Sequence, residues 1–413
     1  MVLFASTQTA IGWVIAALVG IGFIAYLVAN MRAAKPELGS EIELAPNRKP
    51  YFDDAALETS RLERSQLFAL GMLVIIAVAL PVYWLAEPAR IKNAADGFTI
   101  RSQKRGDTLF QANCQRCHGP GGTGGVIATS LTDDAGKFVA NVNWKAPALT
   151  GVLTRFSEDA VTDTLNYGRN GVMPAWGAPG GGPMTVNNIR DLIIYLRTIQ
   201  LATPGDKDDK LMRASVDGGI KDGARLQLLK DRPALQAAVD EANRLSDPKA
   251  KKDAAKTASD AIDAALADYM KEISDPASPK FAAVYGKAIF NNSASQGAYS
   301  CARCHTKGWS YSATDVTDTA GKPLAATYSD GNGWYGPSLQ GGSTTRKFNT
   351  PATQETFVKG GSEKGKKYGN AGFGDGQMPG FGPRIDDAAK VTFPAILTDV
   401  EIQAVVAYER GMQ

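Results

Sequence analysis

The sequence predicts a mainly α-helical protein: two N-terminal transmembrane helices, then two copies of one small helical domain separated by a helical hairpin. Three observations carry this. Two long stretches near the amino end hold no charged residue. One short pattern, Cys-x-x-Cys-His, occurs at 114–118 and again at 301–305. Behind each copy an amphipathic helical pattern closes the segment, at 187–199 and 398–410.

The first charge-free stretch is 10–30, rich in Ile, Val, Leu, Ala and Gly; the second is 65–86, with Tyr83 and Trp84 near its end. Each approaches the roughly 20 residues a helix needs to cross a bilayer, and the aromatic pair suits an interfacial belt. The first stretch lacks a basic leader and a small-x-small cleavage site, so it reads as a retained helix and not as a signal peptide. Residues 1–9 hold no Lys or Arg, whereas the inter-helix segment carries Arg32, Lys35, Arg48, Lys49, Arg61 and Arg64. Positive charge stays inside, which puts that loop in the cytoplasm and both chain ends outside. Residues 1–95 are therefore expected to form a multi-pass anchor in the cell membrane, with everything after them extracytoplasmic.

The chain has two histidines and four cysteines, and all six fall inside the two short motifs, as Cys114, Cys117, His118 and Cys301, Cys304, His305. Cys-x-x-Cys-His is the attachment signature of c-type haem. Two thiols add across the haem vinyl groups and the adjacent imidazole reaches the iron. The sequence thus calls for two covalently attached haems. A zinc knuckle fits poorly, because each motif is one ligand short of a tetrahedral site. Attachment of a c-type haem takes place on the extracytoplasmic side, in agreement with the charge argument. The census also limits the irons. With both histidines used, neither haem can be bis-His within this chain, no b-type haem can sit between histidines, and no histidine-ligated copper can form. Attached thiols leave none for a disulfide. A distal ligand has to be Met, Lys, a main-chain or amide group, or the position is open.

The order of landmarks supplies more. In the first copy (96–200) a helix led by Asp107 carries Leu109 and Phe110 into Cys114. A long Gly-rich loop follows, holding Trp144 and Ala146-Pro147-Ala148-Leu149, then a helical patch at 157–167, then Gly171-Val172-Met173-Pro174-Ala175-Trp176-Gly177. Ile189, Leu192, Ile193, Leu196 and Ile199 stripe the closing helix. In the second copy (281–413), Val284, Ile289 and Phe290 precede Cys301, with a looser insertion at 291–300. Tyr335-Gly336-Pro337-Ser338-Leu339 and Gly376-Gln377-Met378-Pro379-Gly380-Phe381-Gly382 then repeat the landmarks. Thr398 and Glu401 make a capping-box pattern at the closing helix. This order resembles class I cytochrome c, over roughly 230 residues. The resemblance implies that the first and last helices of each copy cross and that Met173 and Met378 are distal iron ligands. It also implies that the Pro147 and Pro337 carbonyls accept a hydrogen bond from the proximal imidazoles, fixing ring orientation and basicity. His/Met ligation raises the reduction potential. Met184 reads instead as a hydrophobic staple and Met412 as packing or simply exposed, while Met212 and Met270 belong to the middle segment and have no haem context.

Residues 201–280 are rich in Ala, Asp and Lys, and Ser246-Asp247-Pro248 parts two helical patterns, 233–245 and 249–273. The simple reading is a solvated hairpin that spaces the haem domains; the sharper one is a docking surface. Lys359, Lys364, Lys366 and Lys367 precede Met378 and could steer an acidic redox partner. The balance of 45 Lys+Arg against 42 Asp+Glu gives no reason to expect nucleic acid. No catalytic triad, carboxylate pair or phosphate loop stands out, so the chain is expected to be an electron carrier and not an enzyme. The stretch from Cys301 through Tyr311 and the closing Ala-Tyr-Glu-Arg are similar to dihaem cytochromes of actinobacterial-type respiratory chains. That resemblance implies a relay from a quinol-oxidising bc-type complex to a terminal oxidase. One departure stands out: the better-known subunit of that complex has its anchor at the carboxyl end. A cytochrome subunit of a cbb3-type oxidase or of a substrate dehydrogenase is the alternative, and a dihaem peroxidase a more distant one.

Overall fold

The computed structural model describes residues 7–33, 63–133, 135–169, 172–202, 210–313, 316–370, 372–386 and 391–412. The loop cations Lys35, Arg48, Lys49 and Arg61, on which the orientation argument rests, lie outside the described residues. The chain divides into two units, Met1–Ile100 and Arg101–Gln413.

In the first unit, α1 (Thr7–Ala33) covers the first apolar stretch. The second stretch begins α2 (Glu63–Asn113). Among the described residues one helix, Ser65–Asn113, is long and apolar enough to cross a membrane; its best window has a mean hydropathy of 2.4 and no buried residue. Leu67, Phe68, Leu73, Ile75, Ile76 and Leu80 all stand exposed, as side chains made to face lipid do. The sequence places a helix end near 86 and a fresh helix at Asp107, but α2 is one element of 51 residues. Hydropathy changes there while the backbone has no cause to break. Glu87–Arg90 and Lys92–Asp96 pair one turn apart, and the internal Pro81 and Pro88 each remove one donor without ending the helix.

In the second unit, the predicted Gly-rich loop after Cys117 contains an antiparallel hairpin, β1 (Gly125–Thr132) and β2 (Phe138–Ala146), with Ile127 facing Trp144 and Thr129 facing Val142. β-Branched and aromatic residues, among them Val126, Ile127, Thr129, Phe138, Val142 and Trp144, favour the strands; the glycines drew attention away from them. Ser157 caps α3 (Glu158–Tyr167). Then α4 (Val186–Thr198) begins with a capping box made by Thr185 and Asn188. Met184 and Ile189 are buried in the same core at either side of that cap, the staple arrangement.

Among the described residues the insert has three helices where the periodicity predicts two: α5 (Lys210–Asp231), α6 (Pro233–Arg244) and α7 (Pro248–Ile273). It is not a solvated spacer. Met212, Val216, Ile220, Ala224 and Leu228 line up along α5 and share one core with Ile289, Phe290, Ile402 and Val405 of the second copy. Gly219 and Gly223 let that face close in, since a Cβ at Gly223 would sit 2.9 Å from the Ala288 Cβ. Asn292 donates to the Val216 carbonyl at 3.0 Å, and Arg213 pairs with Glu401 at 2.8 Å.

The second copy opens on a wide helical turn, Phe281–Gly286, that continues as α8 (Lys287–Phe290). It goes on through α9 (Pro351–Gly360) and a short hairpin, β3 (Arg384–Asp386) and β4 (Val391–Phe393). It closes with α10 (Asp399–Arg410), capped by Thr398 and Glu401. Entry and closing helices cross in both copies in the same way. At Gly106 a Cβ would overlap the Asp191 carbonyl and lie 2.8 Å from the Tyr195 Cβ; at Gly286 it would overlap the Ala404 carbonyl and lie 2.8 Å from the Tyr408 Cβ. One turn on, Phe110 meets Tyr195 with ring centroids 5.1 Å apart, and Phe290 meets Tyr408 at 5.6 Å.

Candidate haem sites

Each motif begins where an entry helix has delivered it. Cys114 follows α2 directly, and the motifs themselves are single helical turns, Gln115–His118 and Ala302–His305. The His118 N–H donates to the Cys114 carbonyl at 2.9 Å and the His305 N–H to that of Cys301 at 3.0 Å. A helical turn sets positions i, i+3 and i+4 on one face, so two thiols and one imidazole project together from each motif. Among the described residues no three His, Cys, Asp or Glu side chains converge as a metal site.

Both imidazoles are oriented by carbonyls. His118 Nδ1 lies 2.8 Å from the Pro147 oxygen, and His305 Nδ1 lies 2.8 Å from that of Pro337. A donor at Nδ1 leaves Nε2 with its lone pair. Burial lowers the pKa of each ring, against the opposing pull of the proline carbonyl, and so favours the neutral imidazole that a metal needs. A Cβ at Gly336 would stand 2.6 Å from His305 Cε1, so only glycine leaves room for the ring. Burial also pushes the Cys114 thiol up to about 11 and the Cys301 thiol well above its usual value. Such thiols are poor thiolates, which does not suit a reactive redox pair.

Both Met-Pro turns hang from the end of a helix. Gly168 ends α3 with φ +74° and Gly361 ends α9 with φ +71°. A Cβ at Gly168 would lie 2.9 Å from the Ala175 nitrogen and one at Gly361 would lie 2.7 Å from the Met378 carbonyl oxygen. Glycine thus supplies the positive φ and the close approach together. The next residue holds the methionine: Arg169 and Met173 exchange backbone hydrogen bonds at 3.0 and 3.1 Å, and the Ser362 N–H donates to the Met378 carbonyl at 3.0 Å. Aligning the two copies on their glycines could have revealed these positions.

One cavity of about 530 Å³ collects Cys117, His118 and Met173 from the first copy and Cys304, His305 and Met378 from the second. Its walls are largely apolar, with Phe110, Leu165 and Phe381 among them. Paired thiols, neutral imidazoles and thioethers around such walls fit a haem at each motif. Several residues around this cavity carry no sequence signal. Glu409 is buried, held by Gln354 at 2.8 Å, and burial lifts its carboxyl to about 7. Arg155, Arg169 and Arg303 also reach the cavity. Among the cationic loop residues, Lys359 is paired with Asp399 at 2.9 Å and Lys366 with Glu363 at 2.6 Å.

Comparison with known proteins agrees in kind. Residues 101–196 match the family described as cytochrome C oxidase, cbb3-type, subunit III. The cbb3-type cytochrome c oxidase subunit CcoP of Cereibacter sphaeroides is 36% identical over 93 residues, 22% of this chain and 25% of that protein. Subunit FixP of Bradyrhizobium diazoefficiens is 30% identical over 97 residues, 23% of this chain and 27% of that protein. FixP of Azorhizobium caulinodans is 33% identical over 111 residues, 26% and 31% respectively. The chain therefore spans about a quarter to a third of the curated relatives it matches. No solved structure gives a significant match. A cytochrome c domain similar to those of cbb3-type oxidase subunits thus occupies residues 101–196, in a haem protein of membrane electron transport.

Proposed function

We propose that the chain is a membrane-anchored dihaem cytochrome c that relays single electrons on the extracytoplasmic side to a terminal oxidase, itself acting as a subunit of a larger complex. The observation that carries this is the cavity shared by two matched sets of Cys, His and Met. Cys114, Cys117, Cys301 and Cys304 attach the two haems. His118 and His305 are the proximal ligands, with Pro147 and Pro337 holding their rings, and Met173 and Met378 are the distal ligands. Bound haem supplies one-electron exchange at iron. The polypeptide would hold the His and Met ligands on hydrogen-bonded turns, and the apolar walls would exclude water.

Similarity to CcoP and FixP supports an oxidase of the cbb3 kind as the acceptor complex. A bc-type complex as the donor of quinol-derived electrons is the reading carried by the resemblance of the second copy. Two membrane helices, α1 and the apolar part of α2, and a cytoplasmic loop between them complete the proposed topology. A peroxidase would need an open iron, and the matched methionines argue against one.

The test is a potentiometric optical titration of the purified chain, followed by carbon monoxide on the reduced form. Two low-spin, high-potential transitions and no carbon monoxide adduct are expected. A low-potential haem that binds carbon monoxide would overturn the assignment of Met173 or Met378 and favour an enzyme.

A further inference from the structure

The two copies differ at one buried pair of side chains on the cavity wall. Ser157 and Thr350 cap α3 and α9, and Gly168 and Gly361 end them. Val161 and Gln354 stand at the same distance from cap and glycine, so they hold the same place. Thr185 and Thr398 cap the closing helices, and Tyr195 and Tyr408 meet the matching rings of Phe110 and Phe290. The residues that follow those tyrosines, Leu196 and Glu409, therefore correspond as well. All four are buried, and all four line the cavity. Where the first copy presents two apolar side chains, the second presents an amide and a carboxyl.

The surroundings of that carboxyl are specific. Gln354 Nε2 donates to Glu409 Oε2 at 2.8 Å. Arg410, next along α10, turns to the Phe348 carbonyl at 3.0 Å and to Gln354 Oε1 at 3.3 Å. Lys359 of α9 is paired with Asp399. On the entry segment Tyr285 and Lys287 are drawn to Glu401 and Asp330. The motif brings Cys301, on which the Glu409 charge acts, and attachment of a haem leaves that sulfur uncharged. Lys347 borders the same cavity and lies over the Phe357 ring at 5.4 Å. The hydrogen-bond partner of Glu409 is thus an amide and not a cation. Burial costs the ionised carboxyl more than one neutral donor returns, which lifts it to about 7.

A group so placed answers to a change of charge in its own cavity. Ferric iron is one positive charge richer than ferrous and favours the carboxylate; reduction removes that charge and favours the acid. We infer that Glu409 is a proton-binding site coupled to the arrival of an electron at the haem of the second motif, and that the first motif, walled by Val161 and Leu196, has no such coupling. This rests on the reading that each motif carries a haem. The balance is simple. One electron enters the iron from the donor of the relay, and one proton from solvent forms an O–H bond at Glu409. Oxidation reverses both. The duplicated domains then differ in function: one carries an electron alone and the other an electron with a proton.

Two readouts on the full-length, haem-loaded chain test this, once pyridine haemochrome analysis has counted two haems. Between about pH 5 and about pH 9 one midpoint potential should fall by about 59 mV, equivalent to a tenfold difference in proton affinity between the oxidation states, while the other stays level. Glu409→Gln should keep the falling potential at its acid-side value, above that of the native protein at alkaline pH. Reduced-minus-oxidised infrared spectra should gain a protonated-carboxyl band that Glu409→Gln lacks. Gln354→Val retains the carboxyl and removes the donor that steadies its ionised form. Both signals should persist in it, moved to higher pH, which keeps the test available if Glu409→Gln matures poorly. Two native potentials that ignore pH, or a fall that persists unaltered in Glu409→Gln, would overturn the inference and leave the relay reading standing. A native chain with fewer than two haems, or one that binds carbon monoxide, would overturn the relay reading itself, on a separate measurement.

Discussion

Glu409 shows how a single residue can carry a pH dependence that no motif announces. It is 6% exposed, its partner Gln354 is neutral, and burial raises its carboxyl from 4.5 to about 7. The folded chain therefore keeps a proton that the unfolded chain releases. Stability from this group is fully present below about pH 4.5 and is lost as the pH rises towards 7 and beyond. A tenfold difference in proton affinity between the two states is worth about 1.4 kcal/mol. Between pH 5 and pH 8 the native protein should lose about 2–3 kcal/mol more than Glu409→Gln, read as the difference in urea unfolding free energy. Equal losses in the two proteins would show that Glu409 sits in a more polar place than its contacts indicate. The residues of the two Cys-x-x-Cys-His motifs stand out one by one, because covalent attachment of a haem would demand fixed chemistry at fixed spacing. Glu409 and the three arginines do not, since a charged residue looks the same in sequence whether it ends in solvent or in a cavity.

At the scale of elements, the helices that close each copy could be read from their stripes, and Thr398 caps α10 as its spacing with Glu401 predicts. Two elements escaped. The hairpin of β1 and β2 hid behind glycine-rich flanks, and α5 was masked by its polar composition and by Gly218, Gly219 and Gly223. Of these, Gly219 and Gly223 allow α5 to lie tightly on the second copy, so a weak helix former in sequence is a packing device in the fold. Ile220, on α5, is 1% exposed. Replacing it by alanine should cost about 2–4 kcal/mol through the lost contacts and the cavity left. The loss should appear in the unfolding midpoint of the segment that carries the second Cys-x-x-Cys-His motif. A solvated spacer would give a change within about 0.5 kcal/mol, and such a result would remove α5 from the core.

Across residues 101–413, the two copies are interlocked and not strung apart. Phe393 of β4 is buried in the core of the first copy, and Arg384 donates to the Leu153 and Thr154 carbonyls. From the other direction, Trp144 of β2 packs on Tyr311 at 5.6 Å and on Trp334 at 6.2 Å. The 291–300 insertion wedges between them. Ser295 and Gln296 adopt φ of 51° and 55°, a strain of about 1–3 kcal/mol each. In exchange the Ser295 carbonyl accepts from the Ala148 N–H at 3.0 Å, beside Pro147. A shared core of this kind should unfold as one cooperative body. Leu192→Ala, in the first copy alone, is therefore expected to shift the denaturant transition of both copies together. Two separated transitions, with the second copy unmoved, would show that the copies are independent.

By itself the sequence supplied the two Cys-x-x-Cys-His motifs, the apolar spans and the order of landmarks, and from these the expectation of a duplicated haem domain. Each depends on residue type at short range: thiols and an imidazole within one turn, charge-free runs, and helical periodicity. Tertiary structure alone decided that both motifs open on one cavity, that the insert belongs to the second core, and that three arginines reach that cavity. These depend on which distant segments touch. A single chain does not reveal that, because burial and charge pairing are properties of neighbours in space.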